Sequence, residues 1–349
     1  MQNIFENFSS LTIGIFGDYC LDEYLWIDSS LNEPSLETDL VAYQCTRRET
    51  SPGAAGTIAK NLANLGIGTV YAIGFAGDDG RGLELCRGLD RLGINRENIV
   101  LTGSRITSTH TKPWITNPDG SQNELNRIDI KNWSKTSSAL ENEVLEKLKS
   151  VLPKLDALIV LDHIVEENCG IMTDNMRAAL SKIAKDNPDL LIYADSRCRI
   201  GLFENVMIKG NQFELTHAIY GMAKTEHGSG ANIQLAADPS VVRTDDQINN
   251  ACRALQQKNS RPVICTLGEN GVRIYDGDDI LHVPVAAISG QTDPCGAGDM
   301  FTSGFIPAIA AGADKKTAAE IGNIAAAICV TQLGTTGFVT QNDILAKMS

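Results

Sequence analysis

Two kinds of hydrophobic pattern alternate along the chain. Short unbroken apolar runs at 11–16 (LTIGIF), 69–75 (TVYAIGF), 157–161 (ALIVL), 190–194 (LLIYA) and 263–267 (VICTL) have no polar face and predict strands covered on both sides. Between them, apolar residues recur at helical spacing. Ile58, Leu62 and Leu65 fall on one face of the stretch 57–65, and Leu85, Leu89 and Leu92 on one face of 82–92. Each stretch stops at a glycine, Gly66 or Gly93, which can adopt the left-handed conformation that ends a helix. Ser138 can cap a helix that turns Leu140, Val144, Leu148 and Val151 inward and its Glu and Lys residues outward. Strands alternating with helices predict an α/β fold with a mostly parallel sheet between helical layers.

Two stretches break the alternation. Residues 40–50 (LVAYQCTRRET) and 107–130 place polar residues at every second position and predict antiparallel strands exposed on one face. Asn117-Pro118-Asp119-Gly120 is a strong turn, because proline presets φ and glycine accepts a positive one, so 109–115 and 122–130 form a hairpin. A small sheet of this kind cannot bury both of its faces. It either projects from the body, over a site or against another subunit, or it decorates the surface. No repeat, low-complexity tract or long linker marks a second domain. The expectation is one domain over 1–349, with projecting strands from about 19–50 and 105–131.

Composition narrows the function classes. With 43% hydrophobic and 21% charged residues the chain is an ordinary globular one, and its net charge of −13 argues against nucleic acid or an acidic membrane surface as partner. No apolar run approaches the roughly 20 residues that cross a bilayer. The start, MQNIFENFSS, lacks the basic residues of a secretory leader, so a cytoplasmic location is expected. Nine scattered cysteines without a CxxC pair suit reduced thiols, and no structural metal site is expected.

The chemistry concentrates at 293–299, Asp-Pro-Cys-Gly-Ala-Gly-Asp, where a small-residue loop opens into a helix marked by Phe301, Phe305 and Ile309. Backbone N–H groups at a helix start lack intrahelical partners and sit at the positive end of the dipole, so Gly296, Ala297 and Gly298 offer a seat for phosphate. A carboxylate there, Asp299, repels anions but suits a base that deprotonates an attacking hydroxyl. Phosphoryl transfer needs such a base together with anion donors and a divalent metal. The same pattern also suits an Asp that merely caps the helix. There is no GxxxxGK[ST] and no correctly spaced GxGxxG, so neither a P-loop nor a dinucleotide fingerprint is present.

DPCGAGD resembles the DTxGAGD signature of the ribokinase-like (PfkB) sugar kinases, and further matches follow in family order over roughly residues 11–340. GDYCLDEY at 17–24 is similar to the first-strand motif, PGAAGTIAKNL at 52–62 to the glycine signature, and GDDG at 77–80 to a GxDxxG turn. KGNQFE at 209–214 resembles the NxxE motif and TLGENG at 266–271 the TxGxxG loop. Within the family the likeness leans toward heptose-phosphate kinases, through GDYCLDEY, through TSTHTK at 107–112 followed by NRID at 126–129, and through QLGTT at 332–336. Ala54 and Thr57 stand where the signature has a second Gly and an Asn, Pro294 replaces its Thr, and 195–197 reads Asp-Ser-Arg in place of DPK. No nucleotidyltransferase stretch follows, so a kinase without that half is expected.

The resemblance implies a three-layer α/β/α fold with a small β-sheet lid, ATP and Mg²⁺ as co-substrate and cofactor, a sugar or sugar-phosphate acceptor, and a homodimer formed through the lid. It assigns Asp299 as base and the amides of Gly296, Ala297 and Gly298 as the anion hole. It assigns Asp22, Gly53, Ala54 and Asp162 to the acceptor, with Lys112 and Arg127 for a phosphate already on it. Asn211, Glu214, Arg197, Thr266, Gly268, Gly271 and Asn323 fall to the nucleotide, Glu214 holding Mg²⁺ through water and Asp293 a monovalent cation, K⁺. A nucleoside or sugar-acid kinase, and a non-catalytic sugar- or nucleotide-binding regulator, are the alternatives on this scaffold.

Overall fold

In the computed structural model, which describes residues 2–221, 243–285, 288, 290–332 and 337–348, the strand Thr12–Gly17 lies inside a nine-stranded sheet. On one side it pairs with Thr69–Gly77 and then Asn95–Thr102. On the other it is followed by Ala157–Asp162, Leu191–Ser196, Met207–Asn211 and Val263–Thr266, all parallel. Val272–Asp276 and Asp279–Val283 complete that edge as an antiparallel meander. Alternate residues of the central strands divide between two cores: Ile13, Ile15, Ala157, Ile159 and Leu161 face one, Phe16, Leu158 and Val160 the other. Helices Ala55–Asn64, Gly80–Arg91, Ala297–Ala310 and Lys315–Cys329 cover the first face, and Ser138–Val151, Asp174–Asp186 and Asp245–Asn259 the second. The cap expected at Ser138 is one residue earlier: the Ser137 side chain accepts from the Leu140 N–H.

The projecting sheet is present, with a pairing the polar alternation did not foretell. Its spine is Tyr19–Asp28, continuing directly from the first buried strand and pairing in parallel with Thr109–Thr116 and antiparallel with Cys45–Ala54. The Asn117–Gly120 turn folds Gln122–Glu124 back on Thr109–Thr116, and Ile128–Ile130 pairs further along the same strand. A hairpin can join only antiparallel strands. The parallel pair therefore requires the long route through the helices between residues 54 and 109. Arg48 anchors the sheet to the body, with Glu23 at 2.7 Å and both oxygens of Glu84 on the helix Gly80–Arg91 at 2.9 and 2.6 Å.

Two local features bear on the site. Cys45–Ala54 enters the helix Ala55–Asn64 at Ala54, whose φ of 52° and ψ of −116° are glycine territory. Such a conformation costs a residue with a Cβ about 1–3 kcal/mol. In the body, Asp195 and Lys209 are register partners on neighbouring parallel strands, 4% and 6% exposed, with Nζ 2.7 Å from the carboxylate. Burial works against the ammonium, but Asp195, with Tyr193 and Glu214, more than offsets it and raises the Lys209 pKa.

Ala54→Gly is expected to raise unfolding free energy by about 1 kcal/mol, read from the urea midpoint, because relief of strain exceeds the added chain entropy. Lys209→Met leaves a buried carboxylate alone and is expected to cost about 3–5 kcal/mol, while Asp195→Asn combined with it restores much of the loss. A double variant as unstable as the single one would show that the pair is not the cause.

Candidate active site

The order of strands reverses at Thr12–Gly17: the chain moves first to one side, then returns through Ala157–Asp162 to the other. Loops diverge at such a point and leave a crevice beyond the carboxyl ends of the strands. Two cavities open there, of about 210 and 340 Å³, and both are bounded by His163, Arg197, Gly296 and Asp299.

Asp299 stands at the boundary. It lies in the first turn of Ala297–Ala310, but the residue that caps the helix is Gly296, with φ 77° and no side-chain bond. A capping role for Asp299 is thereby removed. Burial pushes its pKa up to about 6, Asp195 adds to the rise, and Lys209 and Arg197 oppose it. Of the three expected anion-hole amides, that of Ala297 donates to the Pro294 carbonyl at 3.2 Å. Those of Gly296 and Gly298 have no partner among the described residues. A Cβ on Gly298 would come within 2.9 Å of Lys209 Nζ, so glycine here lets the buried ammonium lie against the loop.

The smaller cavity is walled by the root of the projecting sheet. Asp22 accepts from His110 at 3.3 Å and faces Lys112 at 3.7 Å; burial would raise its pKa, but these two neighbours hold it below the usual carboxylate value. Ala54, Thr57, Lys112 and Arg127 line the same space, and Gly53 lies against Asp22. Arg127 is exposed, its guanidinium forked onto Asp129 at 2.7 and 2.8 Å. Asp18, at the end of the first strand, accepts from the N–H groups of His163, Ile164 and Ile171 and fixes the loop beside the cavity.

The larger cavity gathers Asn211, Glu214, Thr266, Gly268, Gly271, Asn323 and Ala297–Asp299. Gly268 and Gly271 have φ of 60° and 80°, which shape the turn that borders it. The N-x-x-E stretch has a local explanation: the Asn211 side chain accepts from Phe213 and Glu214 N–H at 2.9 Å, and Glu214 accepts from Asn211 N–H at 2.7 Å. This reciprocal cap starts the helix Gln212–Tyr220 and engages one of the two Glu214 oxygens. Burial raises the Glu214 pKa, and the neighbouring Lys209 ammonium opposes the rise. An oxygen-only donor set with one carboxylate oxygen left over suits a hydrated Mg²⁺ held through water. A third cavity of about 660 Å³ continues past Gly268, Asn323 and Val330.

Two expected residues, Asp162 and Asp293, border none of these cavities, and a third, Asn323, borders the larger one with its amide tied to backbone. Asp162 is 2% exposed and borders neither cavity; it accepts from Ser196 and faces Arg177 and Arg199 at 3.6 and 3.5 Å, with burial raising its pKa to about 7. The Asn323 amide donates to Val283 and Pro284 carbonyls at 2.9 and 3.3 Å, which ties its helix to the sheet edge. Asp293 accepts from Cys295 N–H within its own turn. Leu333–Thr336 of the QLGTT stretch lie outside the described residues. Sequence reasoning passed over Asp195, Lys209, His163 and His110. Burial, with Arg197 and Lys209, presses the His163 pKa down to about 3, so its imidazole is neutral. A usable signal existed for the first two, each a polar residue near the carboxyl end of a buried strand.

The family model for pfkB family carbohydrate kinases matches residues 19–342. The chain is 26% identical over 343 residues to the bifunctional protein HldE of Desulfatibacillum aliphaticivorans, covering 98% of this chain and 64% of that protein. It is 28% identical over 352 residues to HldE of Citrifermentans bemidjiense, covering 100% and 65%. The chain thus spans less than two thirds of the length of these relatives. Its fold matches ribokinase of Arabidopsis thaliana complexed with ribose and ATP (TM-score 0.66, 18% identity, 96% and 97% covered). It also matches phosphofructokinase-2 of Escherichia coli in complex with potassium (TM-score 0.69, 16% identity, 96% and 97% covered). With that fold and the family match across most of its length, the chain belongs to the pfkB family of carbohydrate kinases, phosphotransferases that act on a hydroxyl acceptor.

Proposed function

We propose that the protein transfers the γ-phosphoryl group of ATP to a hydroxyl of a sugar or sugar phosphate, with Asp299 as general base. One observation carries this reading: the two cavities meet at Asp299, beside the amides of Gly296 and Gly298, which have no partner among the described residues. The acceptor occupies the smaller cavity, where the ionised Asp22 accepts from its hydroxyls. ATP occupies the larger, with Thr266, Gly268 and Gly271 along the nucleotide. Asp299 takes the acceptor's proton as the acceptor oxygen bonds to phosphorus, and the bond from phosphorus to the departing ADP oxygen breaks. Arg197 borders both cavities, has no side-chain partner within hydrogen-bond reach among the described residues, and is placed to follow the charge as it moves. Mg²⁺, held through water by Glu214 with Asn211 beside it, would neutralise charge on the phosphates.

The likeness to HldE and the cations Lys112, Arg127 and Lys131 around the smaller cavity favour an acceptor that already carries phosphate, a heptose phosphate first among them. Asp293 is the place for a monovalent cation, tested by activity with and without K⁺. The same family likeness supports a homodimer through the projecting sheet, whose extension exposes Leu36, Leu40, Val41 and Tyr43. No helix among the described residues is long and apolar enough to cross a membrane.

The test is coupled ADP release over a panel of sugars and sugar phosphates; ATP binding without turnover of any compound would favour the regulator reading. Because the base must be ionised and its pKa is about 6, kcat is expected to rise with pH through that value and to level above it. Asp299→Asn should fold and bind ATP, lose roughly 10²–10⁴-fold in kcat, and lose that limb of the profile. Arg127→Ala should raise KM for a sugar phosphate far more than KM for ATP, and an equal rise in both would remove Arg127 from the acceptor site.

A further inference from the structure

The smaller cavity holds a cluster of which the proposed phosphoryl transfer uses only Asp22. Cys20 and Asp22 are alternate residues of Tyr19–Asp28 and share one face of it, and His110 is the register partner of Asp22 in the parallel neighbour. His110 Nδ1 is 3.7 Å from Cys20 Sγ and 3.3 Å from Asp22 Oδ1, and the three donor atoms lie within 4.8 Å of one another. Both contacts fall on the same ring nitrogen. A nucleophilic relay puts the thiol and the carboxylate on opposite nitrogens, so this arrangement is not one. It is the arrangement of three donors around a point. Ligands about 2.0–2.3 Å from a tetrahedral zinc ion stand roughly 3.3–3.7 Å apart.

Gly53 makes the convergence feasible, because a Cβ there would come within 2.8 Å of both Cys20 Sγ and the Asp22 carboxylate. Asp22 turns its other oxygen, Oδ2, to Lys112, which leaves Oδ1 for the cluster. All three residues line the cavity, so a fourth position opens to solvent or ligand.

We propose that Cys20, Asp22 and His110 form a three-ligand site for a thiophilic divalent metal, zinc or cadmium, separate from the Mg²⁺ position at Glu214. Sulfur and imidazole donors select such ions over the hard Mg²⁺. Binding exchanges the thiol proton for the metal, releases that proton to solvent and changes no oxidation state. Metal binding stands independently of the kinase reading. Its consequence rests on that reading: a metal on Asp22 excludes the acceptor, so zinc inhibits in competition with the sugar and not with ATP.

The experiment titrates the full chain with zinc chloride against a chromophoric chelator in excess Mg²⁺, and with cadmium chloride while following the thiolate-to-cadmium absorption band. One equivalent is expected. Cys20→Ser, nearly isosteric, should abolish the band, and Cys20→Ser and His110→Ala should each weaken zinc binding at least about tenfold, since even outer-shell partners are worth that much. Cys45→Ser, an exposed thiol elsewhere, should change neither. A band that survives Cys20→Ser, or zinc affinity indifferent to His110→Ala, overturns the site. If both variants behave as expected but inhibition is not competitive with the acceptor, the metal site stands and the placement of the acceptor on Asp22 falls.

Discussion

The ammonium of Lys209 is the charge on which this site depends. Asp299 and Glu214 approach Asp195 near the carboxyl ends of the central strands, and burial favours the neutral forms of Asp299 and Glu214. Lys209 is buried among them, bonded to Asp195 across one strand pair and lying under Gly298. It lowers the proton affinity of Asp299 and Glu214 together. Without it, the helix mouth that suits an incoming anion would sit above an uncompensated cluster of negative charge. The glycine at 298 therefore has two causes: close backbone approach above, and room for an ammonium below.

Much of the body was legible from period alone, because strands covered on both faces must be apolar at every position and their helices amphipathic. The strand runs at 11–16 and 157–161 lie within one residue of the observed strands. What period could not supply was the partner of each strand. Tyr19–Asp28 mixes Tyr, Cys, Leu, Asp and Glu, since one of its faces covers the cavity, and its parallel pairing with Thr109–Thr116 is set by the intervening helices rather than by anything local. The site divides in the same way. The loop at 296–299 announces itself by its small residues. Lys209 and His110 are ordinary polar residues in sequence and gain meaning only from register, opposite Asp195 and Asp22.

Two of the departures from the family pattern, at Ala54 and Thr57, line the smaller cavity. Ala54 occupies a backbone conformation that glycine holds without strain, and Thr57 lines the cavity where the signature carries an amide. His110 and Cys20 border the same space. At the larger cavity the two turn glycines and the reciprocal cap at Asn211 and Glu214 are intact.

That reciprocal cap also couples two events that are usually separate. The carboxylate that would organise water around a cation is at the same time the latch on the first turn of Gln212–Tyr220. An ion held through water on the free oxygen leaves the latch closed, whereas one that drew both oxygens outward would unfasten the Asn211 N–H and fray that helix end.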